Sequence, residues 1–304
     1  MGWRTENYGF AKPFFGLCLL TLFWANVVLG QPVLEAVDLR LPIGGRLRFE
    51  SIFLPGPLAQ IGLDVGPVGA DRRFDLTASH GGLVSFLERV GLTRGEAPFP
   101  QAISRADYVL SERVETTGGA APSQVFIFVE RNALGDMVLA RARAQDAEPV
   151  AVETTALPPL PIIFGAEWND LDQPVVLVLT PGVELAGRLN TANRVDAWGQ
   201  VATPAGEFAV LRLHQVGSGR FTYPGLEEAG EAGQLDARVE TFTWLAAGLG
   251  AVGQIQEVQL DPLDPARAPM TVSRFERLVE LTVPTAVTQR TWGQVKRGPQ
   301  RLPW

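Results

Sequence analysis

The feature that most constrains the fold is a turn, Thr203-Pro204-Ala205-Gly206, set between two apolar runs at 195–202 and 207–214. Proline presets φ for the second residue of a β-turn, and the glycine can take the positive φ that closes a hairpin with a bulge. Two strands joined so tightly must lie antiparallel. Phe208 and Val210 share one phase of the second strand, while Leu211 and Leu213 carry the apolar pattern in the other. A β-bulge near Val210 is the expected cause. Residues 239–245, VETFTWL, then alternate cleanly, with Phe242 and Trp244 in phase, and 255–260 resume the pattern after Gly248, Gly250 and Gly253. The region reads as a meander of long strands.

Residues 106–116, 123–132 and 136–145 read as three more successive strands, and Leu47 and Phe49 mark another upstream. Residues 62–77 read as loop. One helix is expected near 82–90, where Leu83, Phe86, Leu87 and Val90 fall at i, i+3, i+4 and i+7, with Ser79 as cap and Gly91 as stop. The fold class that follows is all-β: two antiparallel meanders forming a sandwich or strongly curved, half-barrel-like sheets, with that one short helix.

Residues 1–30 have the form of a secretory signal. A polar start with Arg4 and Lys12 precedes an apolar run, and Val28 and Gly30 suit a cut before Gln31. Removal takes away Arg4, Lys12 and Glu6, so the net charge moves from −7 to −8, and it also removes Cys18, the one cysteine. An exported chain without disulfides relies on its core. The expected organisation is a signal at 1–30, an N-terminal β domain at 31–157, a C-terminal β domain at 158–283 and a disordered basic tail at 284–304. The boundary falls in LPPLP, whose prolines do not suit a central strand. An acidic chain in which only Lys12 and Lys296 are lysine is a poor nucleic-acid partner.

Little catalytic chemistry is legible. His80 and His214 are the two histidines, too far apart in sequence for zinc spacing, and no cysteine follows residue 30. Asn169-Asp170-Leu171-Asp172 lacks the glycine and distal glutamate of a calcium loop. Glu227-Glu228 are adjacent in a glycine-rich stretch, which does not make a glycosidase pair. No cofactor, metal or catalytic residue is therefore expected, and no enzyme. Trp168, Trp198 and Trp244 are the candidate ligand-binding residues, since indole stacks on apolar faces and donates one hydrogen bond. Core packing is the alternative for each.

The hairpin Asp196-Ala197-Trp198-Gly199, Val201, Thr203-Pro204-Ala205-Gly206, Phe208 and Val210-Leu211-Arg212-Leu213, with the later Thr243-Trp244-Leu245, Gly248, Gly250 and Val252, resembles a group of exported bacterial β-rich proteins of unknown function. These are Bacteroidetes-type secreted proteins with a hairpin of the form DGxGTVxTPxGTFxxVLRVK. Leu157-Pro-Pro-Leu-Pro, Phe164-Gly165 and Arg73-Phe74-Asp75-Leu76 resemble further segments of that group. The resemblance implies shared architecture and supplies no catalytic residues. The expected function is an exported, periplasmic or extracellular binding or surface-interaction protein. Its partner would be a small apolar ligand, a glycan or a surface protein, with no membrane span once the signal is removed. A lipoprotein-carrier-like half-barrel holding an apolar ligand is the first alternative, and a carbohydrate-active hydrolase the second.

Overall fold

The computed structural model describes residues 32–99, 103–117, 122–132, 135–143, 146, 148–151, 158–180, 183–223 and 233–284. The expected signal at 1–30, the tail beyond 284 and Glu227-Glu228 lie outside the described residues.

The strands in chain order are β1 (Val33–Leu34), β2 (Arg46–Pro55), β3 (Gly69–Asp75), β4 (Leu83–Leu92), β5 (Tyr108–Thr116), β6 (Ser123–Asn132), β7 (Gly135–Arg143) and β8 (Val150–Ala151). They continue with β9 (Ile162–Ile163), β10 (Glu167–Thr180), β11 (Val183–Thr203), β12 (Gly206–Thr222), β13 (Gln234–Ala246), β14 (Gly250–Pro262) and β15 (Met270–Thr282). Thirteen of them form one sheet in the order β10-β11-β12-β13-β14-β15-β2-β4-β5-β6-β7-β8, with β3 added parallel to β11. The remaining pair, β1 and β9, makes a small ladder of its own.

The all-β class and the two meanders are as the sequence indicates. The meanders belong to the same sheet, because β15 returns to pair antiparallel with β2, placing Phe275 opposite Ile52 and Glu276 opposite Ser51. Strands from both sides of residue 158 thus share one ladder. The sheet does not close into a barrel: among the described residues β10 and β8 end it without pairing with each other.

Three local expectations need correction. Residues 82–90 are not a helix but the strand β4, hydrogen-bonded to β2 on one side and β5 on the other. Both of its faces meet neighbours: Leu87 packs in the main core, while Phe86 carries the guanidinium of Arg48 at 4.7 Å. Apolar side chains on both faces, Leu87 buried and Phe86 half-buried, hide the period of two and leave an accidental helical spacing. Among the described residues the α-helix lies instead at Leu58–Ile61, a single turn ended by Gly62 at φ +70°. The stretch 62–77, expected as loop, contains β3, whose side chains are mostly exposed and whose ladder to β11 is a backbone matter.

The hairpin stands where its turn places it. Thr203 pairs with Gly206, and Gly206 has φ +137°. The bulge is on the opposite strand from the one expected. Val195 pairs with Leu213 and Ala197 with Arg212, so Asp196 is the extra residue. On β12 the two apolar phases both find a core. Val210 joins Trp244, Phe242, Ile255, Phe275 and Ile52, whereas Leu211 and Leu213 pack with Leu34, Ile162 and Val195 on the other face.

Candidate functional site

The bulge at Asp196 turns a carboxylate into the protein beside Arg212. Arg212 is 1% exposed, and its Nε and Nη2 donate to Asp196 Oδ1 and Oδ2 at 2.8 and 2.9 Å. Its Nη1 donates to the carbonyls of Val65 and Gly66. Phe74 and Phe242 sandwich the guanidinium, with centroids at 5.2 and 5.3 Å. On the far side of Phe242 the ring of His214 stacks at 4.3 Å, with Nε2 2.9 Å from Glu240 Oε1. Paired, hydrogen-bonded and enclosed, Arg212 pins the segment before β3 to the long hairpin. This is a structural role rather than a reactive one.

The opposite face carries a polar row across the strands. Successive ladder partners are Trp168, Asn193, Gln215, Thr241, Gln256 and Arg274. The neighbouring row runs Thr243, Gln254, Glu276, Ser51, Ser85 and Thr116. Within these rows Gln215 Nε2 donates to Asn193 Oδ1 at 2.7 Å and Ser51 Oγ to Glu276 Oε2 at 2.7 Å, while Asn193 Nδ2 donates out of its row to Asp170 Oδ2 at 2.8 Å. Burial alone would raise the Glu276 carboxyl, but Arg274, the Ser51 hydroxyl and Arg89 outweigh it and hold the group below the ordinary glutamate range.

A carboxyl depressed in the folded state stabilises the fold above its unfolded pKa of about 4.3 and loses that contribution as pH falls through the folded value. Glu276→Gln should therefore cost about 1.5–3 kcal/mol at pH 7, the range for hydrogen bonds to charged groups. The gap between variant and parent should narrow below about pH 4. Urea unfolding at pH 7 and pH 3 checks this, and a gap that does not change with pH would count against the ionised pairing.

On the Trp244 face, beyond the part of the core around Arg212, lies an open groove of about 650 Å³. Its walls come from β10 to β14: Asn169 and Leu171, Asn190, Val216 and Ser218, Asp236 and Arg238, and Asp261. The ladders explain the assembly, for Ala192 faces Val216, Asn190 faces Ser218 and Asp236 faces Asp261. Asp236 also accepts from Arg220 Nε at 3.0 Å. Leu171, Ala192, Val216 and Ala237 make most of the lining apolar, and amides, two hydroxyls and both signs of charge edge it, which suits a ligand with an apolar face that also donates and accepts hydrogen bonds.

The structure does not bring the three candidate tryptophans onto one face. Trp244 is fully buried, edge-on to Phe74 at 5.7 Å, and part of the main core. Trp168 and Trp198 pack on the other face against the cluster of Leu211 and Val195. None of the three lines the groove. The indole N–H groups of Trp198 and Trp244 are buried without a partner among the described residues. His80 packs edge-on to Phe275 at 5.1 Å. Asn169 to Asp172 lie in β10 at an irregularity of its ladder rather than in a calcium loop, and Asp172 pairs with Arg188 at 2.8 Å. Apart from Asn169 and Leu171, which lie in the stretch weighed as a calcium loop, the groove residues escaped sequence reasoning because they come from separate strands and carry no local motif. Only the strand register assembles them.

No protein-family model matches this chain, and no curated protein does. Among solved structures the chain is similar to the crystal structure of a "putative lipoprotein" from Parabacteroides distasonis. The TM-score is 0.32 at 9% identity, over 82% of this chain and 100% of that one, a likeness too slight to carry an argument.

Proposed function

We propose that this is an exported, non-catalytic binding protein and that its groove takes a polar, hydroxyl-rich ligand of the glycan class. The observation that carries this reading is the lining of the groove: Asn169, Asn190 and Ser218 beside Arg238, Asp236 and Asp261, around an apolar surface of Leu171, Ala192, Val216 and Ala237. A sugar ring offers the matching set, hydroxyls that donate and accept around a small apolar face. A volume of about 650 Å³ is within the usual range of small-ligand sites. Export is supported by the form of residues 1–30.

The two alternatives fit the same groove less well. An acyl chain would leave three charged side chains and two amides facing hydrocarbon, at a cost of about 1–3 kcal/mol for each polar group left unpaired. A hydrolase would use Asp236 and Asp261, which face each other across β13 and β14. A general acid needs a carboxyl shielded from water, whereas Asp236 is half exposed and already paired with Arg220.

Isothermal titration of the purified protein with a panel of oligosaccharides and fatty acids tests the reading. At least one oligosaccharide should bind and be recovered intact. Binding of fatty acids alone would instead support the carrier.

A further inference from the structure

We infer that β10 is a docking edge for a second copy of this chain, the two β10 strands pairing antiparallel about a two-fold axis at Leu177. Among the described residues β10 ends the sheet and pairs with β11 only, over 14 residues. A long open edge presents unpaired N–H and C=O groups, and proteins blunt such edges with charges, prolines or short strands. From Gln173 to Thr180 this edge reads QPVVLVLT: it carries no charge, and Pro174 and the bulge between Val178 and Thr180 leave the run from Val175 to Val178 regular. Val176 stands 49% exposed, while Leu177 and Leu179 on the other face are buried against Leu185, Leu189, Phe221 and Leu235.

The register follows from Pro174. A proline within an edge strand turns its nitrogen to the open side, because it has no N–H to give the ladder. By the period of two, Val176 and Val178 then also turn their N–H and C=O groups outward. Under a two-fold axis at Leu177, Val176 lies opposite Val178 of the second copy and exchanges both hydrogen bonds with it. Leu177 meets its own counterpart, which continues the cluster of Leu185 and Leu189 across the joint. No like charges face each other within 173–180, so the overall negative charge of the chain is no obstacle at this edge.

An extended segment of another protein could add to the same edge, but the symmetric match of an apolar run to itself favours the second copy. The contact is also self-limiting. An isologous joint uses the edge once, so this pairing closes with two copies.

Sedimentation of the purified protein over a range of concentrations tests this. A dimer is expected, Val176→Lys should weaken it at least tenfold, and Met270→Lys, an exposed position on β15 away from this edge, should leave it unchanged. A monomer throughout, or a dimer indifferent to Val176→Lys, overturns the proposal. If Val176→Lys fails to fold by circular dichroism, hydrogen exchange of the parent decides. The Val176 and Val178 amides should be protected at high concentration and lose protection on dilution, and free exchange at every concentration refutes the pairing.

Discussion

Arg212→Ala is expected to cost about 3–5 kcal/mol, because it leaves the Asp196 carboxylate buried without its partner. Asp196 is 5% exposed and takes both of its strong hydrogen bonds from this guanidinium. The same change removes the two carbonyl contacts to Val65 and Gly66 and the filling between Phe74 and Phe242. Arg212→Lys should recover only part of the loss, since an ammonium cannot serve both carboxylate oxygens in a planar fork. Urea unfolding of the three proteins checks the order. A loss under about 1 kcal/mol for Arg212→Ala would mean that the pair is exposed or absent.

Trp244→Ala should be comparably severe, about 3–5 kcal/mol, the range for deleting a large aromatic from a packed core. Its neighbours on the Trp244 face come from strands far apart in sequence, among them Phe74, Val210, Ile255 and Phe275, so the cavity cannot be filled by local movement. Trp244→Phe should cost well under half as much. It keeps most of the apolar volume and deletes an indole N–H that has no partner among the described residues. Urea midpoints of the two variants provide the comparison. Equal losses would show that the N–H contributes a bond, and a negligible loss for alanine would place the side chain in solvent.

What the sequence made legible depended on where each strand's information lies. The hairpin of β11 and β12 is written in four residues, Thr203 to Gly206, and β13 and β15 show where polar and apolar residues alternate locally, as in Thr241-Phe242-Thr243-Trp244 and Arg274-Phe275-Glu276. The strand β4 misled because Phe86 and Leu87 are both apolar and face opposite ways, which erases the period. The strand β3 was hidden for the converse reason: Asp71, Arg72 and Arg73 are exposed, and the strand is held through backbone pairing with β11. The pairing of β15 with β2 joins residues more than two hundred positions apart, and nothing local records it.

The candidate site was less legible still. Trp198 and Trp244 are both hairpin-region aromatics, and their separation onto opposite faces depends on the register across β11, β12 and β13, which pairs Trp198 with Leu211 and Trp244 with Arg212. Asp196 reads as one more polar position of a strand until its bulge shows it facing Arg212. The groove needs five strands in correct register, so nothing in the one-dimensional chain marks Asn190, Arg238 and Asp261 as neighbours.

The central claim is that this groove binds a polar ligand without transforming it. Titration of the best-binding oligosaccharide into the parent, Arg238→Ala and Asn190→Ala, with the sugar analysed before and after, tests it most directly. The account expects each variant to fold like the parent, to bind at least tenfold more weakly, about 1.4 kcal/mol or more, and to return the sugar unchanged. Undiminished binding by both variants, or turnover abolished by Asp236→Asn or Asp261→Asn, would contradict it.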